Sequence, residues 1–291
     1  MTIAVAQRFG QSILLASDTR ISDDNSVRHN IIPGRLKSVI LSPKLSVAYA
    51  GHADPALAAI RECAATLATS GNNAAVEALA KQSARADVDI DFLCVCDGRI
   101  LKVRGGQMYE SADGHVIGDA RVLTVLRQRA DALDFHYSHF SFASPDKQPD
   151  ARSVFLQAFM DTLADVTGAG FEGVGGLPVV LEATSAGSWY MGLGASRYVG
   201  PTRTTSDEGQ DSAASTDSGA TRFFSAVVPS RIPNFGVVGA IIPQAGLGWI
   251  YDPLRLDEPI PHPTPLLSGD DLGPSVETMT DVLDTYVRQH Q

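Results

Sequence analysis

Cysteine is scarce, with only Cys63, Cys94 and Cys96 in a chain of 291 residues. So odd and sparse a set builds no disulfide framework and fits a reducing compartment. Cys94 and Cys96 alternate along an apolar run, so they share one face of an expected strand. No further Cys or close His completes a metal set, which leaves both as small buried residues. Charge is limited too: charged residues make up 19% and the formal net charge is -10. The acidity is not interrupted by a basic run. Phosphate binding needs clustered Lys and Arg, so nucleic acid is excluded as a partner. No stretch approaches the ~20 apolar residues of a membrane span. The opening MTIAVAQRFGQSILLASD lacks the basic start and apolar core of a signal peptide. A soluble, cytoplasmic protein is the expectation.

What the chain does have is 44% hydrophobic residues, ample for a core of one domain plus an appendage. Residues 2–8 and 12–18 are β-prone runs around Phe9-Gly10-Gln11, a hairpin signal. Residues 36–41 and 45–50 form a second hairpin around Ser42-Pro43-Lys44. The Ala- and Leu-rich run 54–69 predicts a helix, with Asp54 as N-cap before Pro55. Asn72 or Asn73 is expected to cap another helix to about residue 86. Strands are predicted at 88–97 and 99–105, joined by the tight-turn dipeptide Asp97-Gly98, and at 107–112. Helices over 119–132 and 151–167 follow, then strands over 177–183 and 188–193. Strand blocks separated by helix pairs argue for a layered α+β fold rather than alternating βαβ units. Residues 201–221 hold no large apolar residue and predict a loop or linker. Beyond it, strands are expected at 223–228, 236–242 and 246–251, a Pro-rich extended stretch at 252–274, and a helix from Ser275 to about Arg288. The expected organisation is a main domain over 1–195, a flexible polar loop over 196–222, and a C-terminal extension over 223–291.

Chemistry concentrates at the start. A hydroxyl is a weak nucleophile at neutral pH and needs a base beside it. A threonine at a chain start carries its own, because the free α-amine has a reference pKa near 8 and reaches the same residue's hydroxyl. Thr2 meets that requirement once Met1 is removed. Asp18 stands at the end of the partner strand, and a hairpin turning at 9–11 returns it close to Thr2. A carboxylate there can orient a cation and hold the amine.

Thr2 through Arg20, TIAVAQRFGQSILLASDTR, resembles the opening of proteasome β-subunits without a gap. That family shows a nucleophilic Thr, an apolar hairpin, and an acidic residue in a small-small-acidic context. Ala50-Gly51-His52-Ala53-Asp54 resembles its Ala-Gly…Ala-Asp segment, where the glycine N–H forms the oxyanion hole. Ile117-Gly118-Asp119-Ala120 sits where the family has a Gly-Ser-Gly turn into a helix. Val174-Gly175-Gly176-Leu177-Pro178-Val179 is similar to a segment of Anbu, the bacterial ancestral β-subunit branch. The resemblance covers about residues 2–193.

The resemblance implies a four-layer αββα sandwich, the fold of N-terminal nucleophile (Ntn) hydrolases. It implies a threonine-type hydrolase cleaving amide bonds, with peptide or protein substrates, self-association into a ring-like homo-oligomer, and neither cofactor nor metal. It does not identify any unfoldase partner. Its catalytic set would be Thr2, Asp18, Gly51, Asp119 and a cation. The family's lysine frame falls on Arg35, while the chemistry favours Lys37, which lies two residues on and on the same side of a strand. Asp119 replaces a family serine; a carboxylate there raises the Thr2 amine's pKa, which either holds the amine in place or weakens it as a base, and the other reading is a helix N-cap. The alternatives on this fold are a catalytically decayed structural or binding subunit and a non-peptide amidohydrolase. His136 and His139 in DFHYSHF would share a helical face, but no partner is spaced to complete a metal site. Ser185 and Ser188 lack a nucleophile elbow, and Gly192 with Gly194 lacks the third glycine of a dinucleotide fingerprint.

Overall fold

The computed structural model describes residues 2–21, 33–132, 150–168, 174–199, 221–264 and 272–290. In chain order the first strands are β1 (Ile3–Phe9), β2 (Ser12–Ser17), β3 (Ser38–Ser42) and β4 (Leu45–Gly51), followed by helix α1 (Ala53–Ser83). Strands β5 (Ile90–Cys96), β6 (Arg99–Arg104), β7 (Gln107–Ser111) and β8 (Gly114–Gly118) lead into α2 (Ala120–Ala132) and α3 (Ala151–Gly168). Then come β9 (Val179–Thr184), β10 (Gly187–Tyr190), β11 (Leu193–Val199), β12 (Thr221–Pro229), β13 (Val238–Ile242), β14 (Leu247–Tyr251), β15 (Ile260–Pro261) and α4 (Gly273–His290).

Among the described residues the strands form three antiparallel sheets, ordered β10-β9-β2-β1-β8, β3-β4-β5-β6-β7 and β11-β12-β13-β14-β15. Alternation along the strands decides what each face meets. Ala4, Ala6 and Leu15 of the first sheet share one apolar cluster with Ala48, Leu93 and Val95 of the second. The opposite face of the first sheet, through Val5 and Leu14, packs on Val122 of α2 and Phe159 of α3. The opposite face of the second, through Val47 and Phe92, packs on Ile60 and Leu79 of α1. Cys94 and Cys96 lie on that helix-facing side, free and buried beside Cys63. The third sheet is buried on both faces: Val227, Ala240 and Trp249 join the cluster shared by the first two sheets, and Ala226, Ile241 and Ile250 pack on Met279 and Leu283 of α4.

Several details differ from the sequence expectations. The two helices predicted over 54–86 are one run broken at Gly71, whose φ of 82° and ψ of 178° are not helical. Asp54 does not cap it; His52 holds that position without a side-chain cap bond, and Asp54 lies in the first turn. Asn72 and Asn73 cap nothing there. They bond Asp97 and Arg99 across the β5–β6 turn at 3.0 and 2.9 Å. That turn takes positive φ at both Asp97 (50°) and Gly98 (76°), as a two-residue hairpin requires. Strand β8 was missed because GHVIG holds only two large apolar residues between polar neighbours. Strand β11 runs across residue 195, where the sequence places the end of the main domain, because LGASRYV pairs along its length with β12. His136 and His139 lie outside the described residues, as does most of the polar loop over 196–222.

Candidate functional site

The β1–β2 register pairs Ala4 with Ser17, which sets Ile3 opposite Asp18 at the open end of the hairpin. The Asp18 N–H donates to the Ile3 carbonyl at 3.3 Å, and the Ile3 N–H donates to Asp18 Oδ1 at 3.2 Å. On the far side Gly175 donates its N–H to Asp18 Oδ2 at 3.2 Å. The loop around Gly175 is pinned to the same strand end: its carbonyl accepts the N–H groups of Thr19 and Arg20 at 3.3 and 3.1 Å. Leu177 N–H donates to Thr19 Oγ1 at 2.9 Å. This wrapping leaves Asp18 fully buried.

A buried carboxylate needs a cation. Lys37 supplies it, with Nζ at 3.0 and 3.1 Å from the two Asp18 oxygens. The same Nζ donates to Thr2 Oγ1 at 2.7 Å. One ammonium therefore bridges the carboxylate and the hydroxyl. Burial lowers the proton affinity of Lys37 below the ordinary lysine value; Asp18 opposes this and the Arg20 charge adds to it. Burial raises the Asp18 carboxyl, with Lys37 opposing. Burial thus works against the charge on each partner, and the opposite charge of the other works to keep it.

Arg35 does not join this group. Its guanidinium pairs with Glu258 in the segment before β15. Residues 34–37 precede the strand β3, so the same-side rule for residues two apart does not apply to them. Gly34 sets their path with φ of +66°, and a Cβ there would stand 2.0 Å from the Thr19 carbonyl oxygen. Only glycine permits that approach. It lets Arg35 N–H donate to the Thr19 carbonyl at 2.7 Å.

Gly51 ends β4 just before α1, with φ of +103° and Asp89 O 1.9 Å from any added Cβ. No hydrogen bond joins its N–H to the Thr2 hydroxyl. Asp119 flanks Thr2 through the backbone, its N–H donating to the Thr2 carbonyl at 2.8 Å. Its carboxylate is spent elsewhere. Oδ1 accepts the Arg121 N–H at 2.9 Å and so caps α2, and Oδ2 accepts Arg121 Nη2 at 2.7 Å. The Arg121 hydrogen bond holds Asp119 below the usual carboxylate range. These contacts are those of a helix cap.

Sequence reasoning passed over Arg20 as a contributor to the site's field. Arg20 is buried, donates to the Val174 carbonyl at 3.3 Å, and acts electrostatically on Lys37. Its place directly after the Ser-Asp-Thr segment was the available signal. Among the described residues no group of three or more His, Cys, Asp and Glu could hold a metal ion. Nor, among them, is any helix long and apolar enough to cross a membrane.

The sequence matches no family model and no curated protein. The structure is similar to the crystal structure of eukaryotic HslV from Trypanosoma brucei, at 15% sequence identity and a TM-score of 0.46, over 62% of this chain and 99% of that one.

Proposed function

We propose that the chain is a threonine-type Ntn hydrolase that cleaves amide bonds, with Thr2 as nucleophile after removal of Met1. The observation that supports this most is the Lys37 ammonium at 2.7 Å from Thr2 Oγ1, held there by a buried Asp18. A cation at that atom favours the alkoxide and needs no reorganisation when charge develops. The layered contacts of the first two sheets with α1, α2 and α3 fit the four-layer αββα arrangement of this enzyme class.

The steps follow from the groups present. The Thr2 α-amine takes the hydroxyl proton as Oγ attacks the carbonyl carbon. The oxyanion forms beside the Gly51 N–H and the N-terminus of α1. Collapse breaks the C–N bond, and the α-ammonium returns its proton to the leaving amine. Water, deprotonated by the same amine, then hydrolyses the ester and restores Thr2. Asp18 holds Lys37; Asp119 holds the Thr2 carbonyl and the start of α2. Neither cofactor nor metal enters. Peptide substrates, a kinship to the Anbu branch, a cytoplasmic location and self-association into a homo-oligomer belong to the same proposal.

Intact mass and labelling test it. The mature chain should lack Met1 and gain one adduct from a β-lactone or epoxyketone, and Thr2→Ala should gain none. Retained Met1 with no adduct would sink the hydrolase and favour a structural subunit on the same fold. Sedimentation checks the homo-oligomer separately.

A further inference from the structure

We propose that Arg35 recognises a carboxylate on the substrate residue next to the bond that Thr2 attacks, and that Glu258 holds the same guanidinium in the free protein. The proposal rests on the hydrolase function above and names its substrate class.

The Arg35 side chain is only 12% exposed. One nitrogen, Nη2, donates to Glu258. Its Nε and Nη1 are buried without a partner, and so is the hydroxyl of the fully buried Tyr49. Unpaired buried donors are rare because each forfeits its hydration, so two of them on one guanidinium call for an acceptor.

Their position relates them to the nucleophile. Arg35 precedes Lys37 by two residues, a reach of at most about 7 Å between Cα atoms. Tyr49 donates its N–H to the Lys37 carbonyl at 3.1 Å and precedes Gly51 by two residues. Arg35 and Lys37 thus stem from one short segment, and a residue flanking the attacked bond is the part of a substrate that this guanidinium would meet.

Glu258 marks where the carboxylate goes. The other acids beside Arg35 have cations of their own: Asp257 pairs with Arg61 and Asp252 with Arg255. Glu258 itself is 69% exposed, so water replaces its partner readily when it leaves. The recess bounded by Arg35, Leu57, Tyr251 and Glu258 holds only about 10 Å³, room for one water-sized group. An incoming carboxylate must therefore displace Glu258 rather than sit beside it. The fork geometry of arginine suits that exchange, because both free nitrogens can then serve two carboxylate oxygens.

Fluorogenic peptides that differ only in Glu, Gln or Lys at the residue whose carbonyl is attacked test the idea. The unmodified chain should favour Glu over Gln by roughly tenfold or more in kcat/KM, the worth of a charged hydrogen bond. Arg35→Gln should bring that ratio toward one, and Glu258→Gln should raise it. Partial unfolding scales both peptides alike and leaves the ratio unmoved. Equal rates for all three peptides would overturn the proposal and leave the hydrolase standing. If no peptide is cleaved and Thr2 takes no label, the hydrolase function fails, and anisotropy of the labelled Glu and Gln peptides on Thr2→Ala decides the recognition. Tighter binding of the Glu peptide, lost in the Thr2→Ala/Arg35→Gln double variant, supports it; equal affinity overturns it.

Discussion

Two ion pairs start two residues apart and end in opposite environments. Lys37 and Asp18 are both buried, with side chains 3% and 0% exposed, whereas Arg35 is 12% exposed and its partner Glu258 is 69% exposed. In the first pair neither charge can be withdrawn without stranding the other in the interior. In the second, one end can let go into water. The difference assigns the pairs different work. The closed pair fixes atoms around Thr2, and the open pair can trade its carboxylate for another.

Breaking the closed pair should have the largest effect. Asp18→Asn or Lys37→Met should lower unfolding free energy by ~3–5 kcal/mol, the penalty for an unpaired buried charge, as read from urea unfolding. An Asp18→Leu/Lys37→Met double variant should recover a good part of that loss while remaining inactive. Next in size is Gly34→Ala. Its Cβ meets the Thr19 carbonyl oxygen at 2.0 Å in a left-handed conformation, so stability should fall by ~1–3 kcal/mol or more, and Thr2 labelling should slow as Lys37 shifts. Asp119→Ala should then cost about 1 kcal/mol through the lost cap of α2. The Asp119 carboxyl titrates below its ordinary 3.8 in the fold, so its contribution is present above that value and lost as pH falls through the depressed one. The gap between Asp119→Ala and the unmodified chain should accordingly close below pH 3.8. Glu258→Gln should change stability by under ~1 kcal/mol, as an exposed partner does. A loss as large as that of Asp18→Asn would erase the distinction between the pairs.

How much of this was legible in the sequence follows the range of the interactions. The β1–β2 hairpin is local and periodic, so Thr2 and Asp18 could be placed at one end of it. The choice between Arg35 and Lys37 was not legible, because it depends on Gly34 meeting Thr19 and on Glu258, 223 residues away. Asp119 carries two meanings in the sequence, and its bond to the Arg121 side chain depends on how α2 begins. Strands β8 and β11 escaped because their sequences are weakly apolar and their pairing with β1 and β12 supplies the order. Strands β12, β13 and β14 of the third sheet were expected, but its burial on both faces is a tertiary outcome that no strand period announces.

The bond from Gly175 to Asp18 spans 157 residues of chain. A ribosome adding about 5–20 residues per second needs roughly 8–30 s to cover that separation. Throughout that interval the Asp18 carboxylate lacks one of its three donors and the loop that shuts out water. The N-terminal hairpin emerges first, yet the environment of Thr2 is among the last to be completed. Nascent chains thus pass through most of their synthesis with the surroundings of Asp18 still incomplete, a delay imposed by topology.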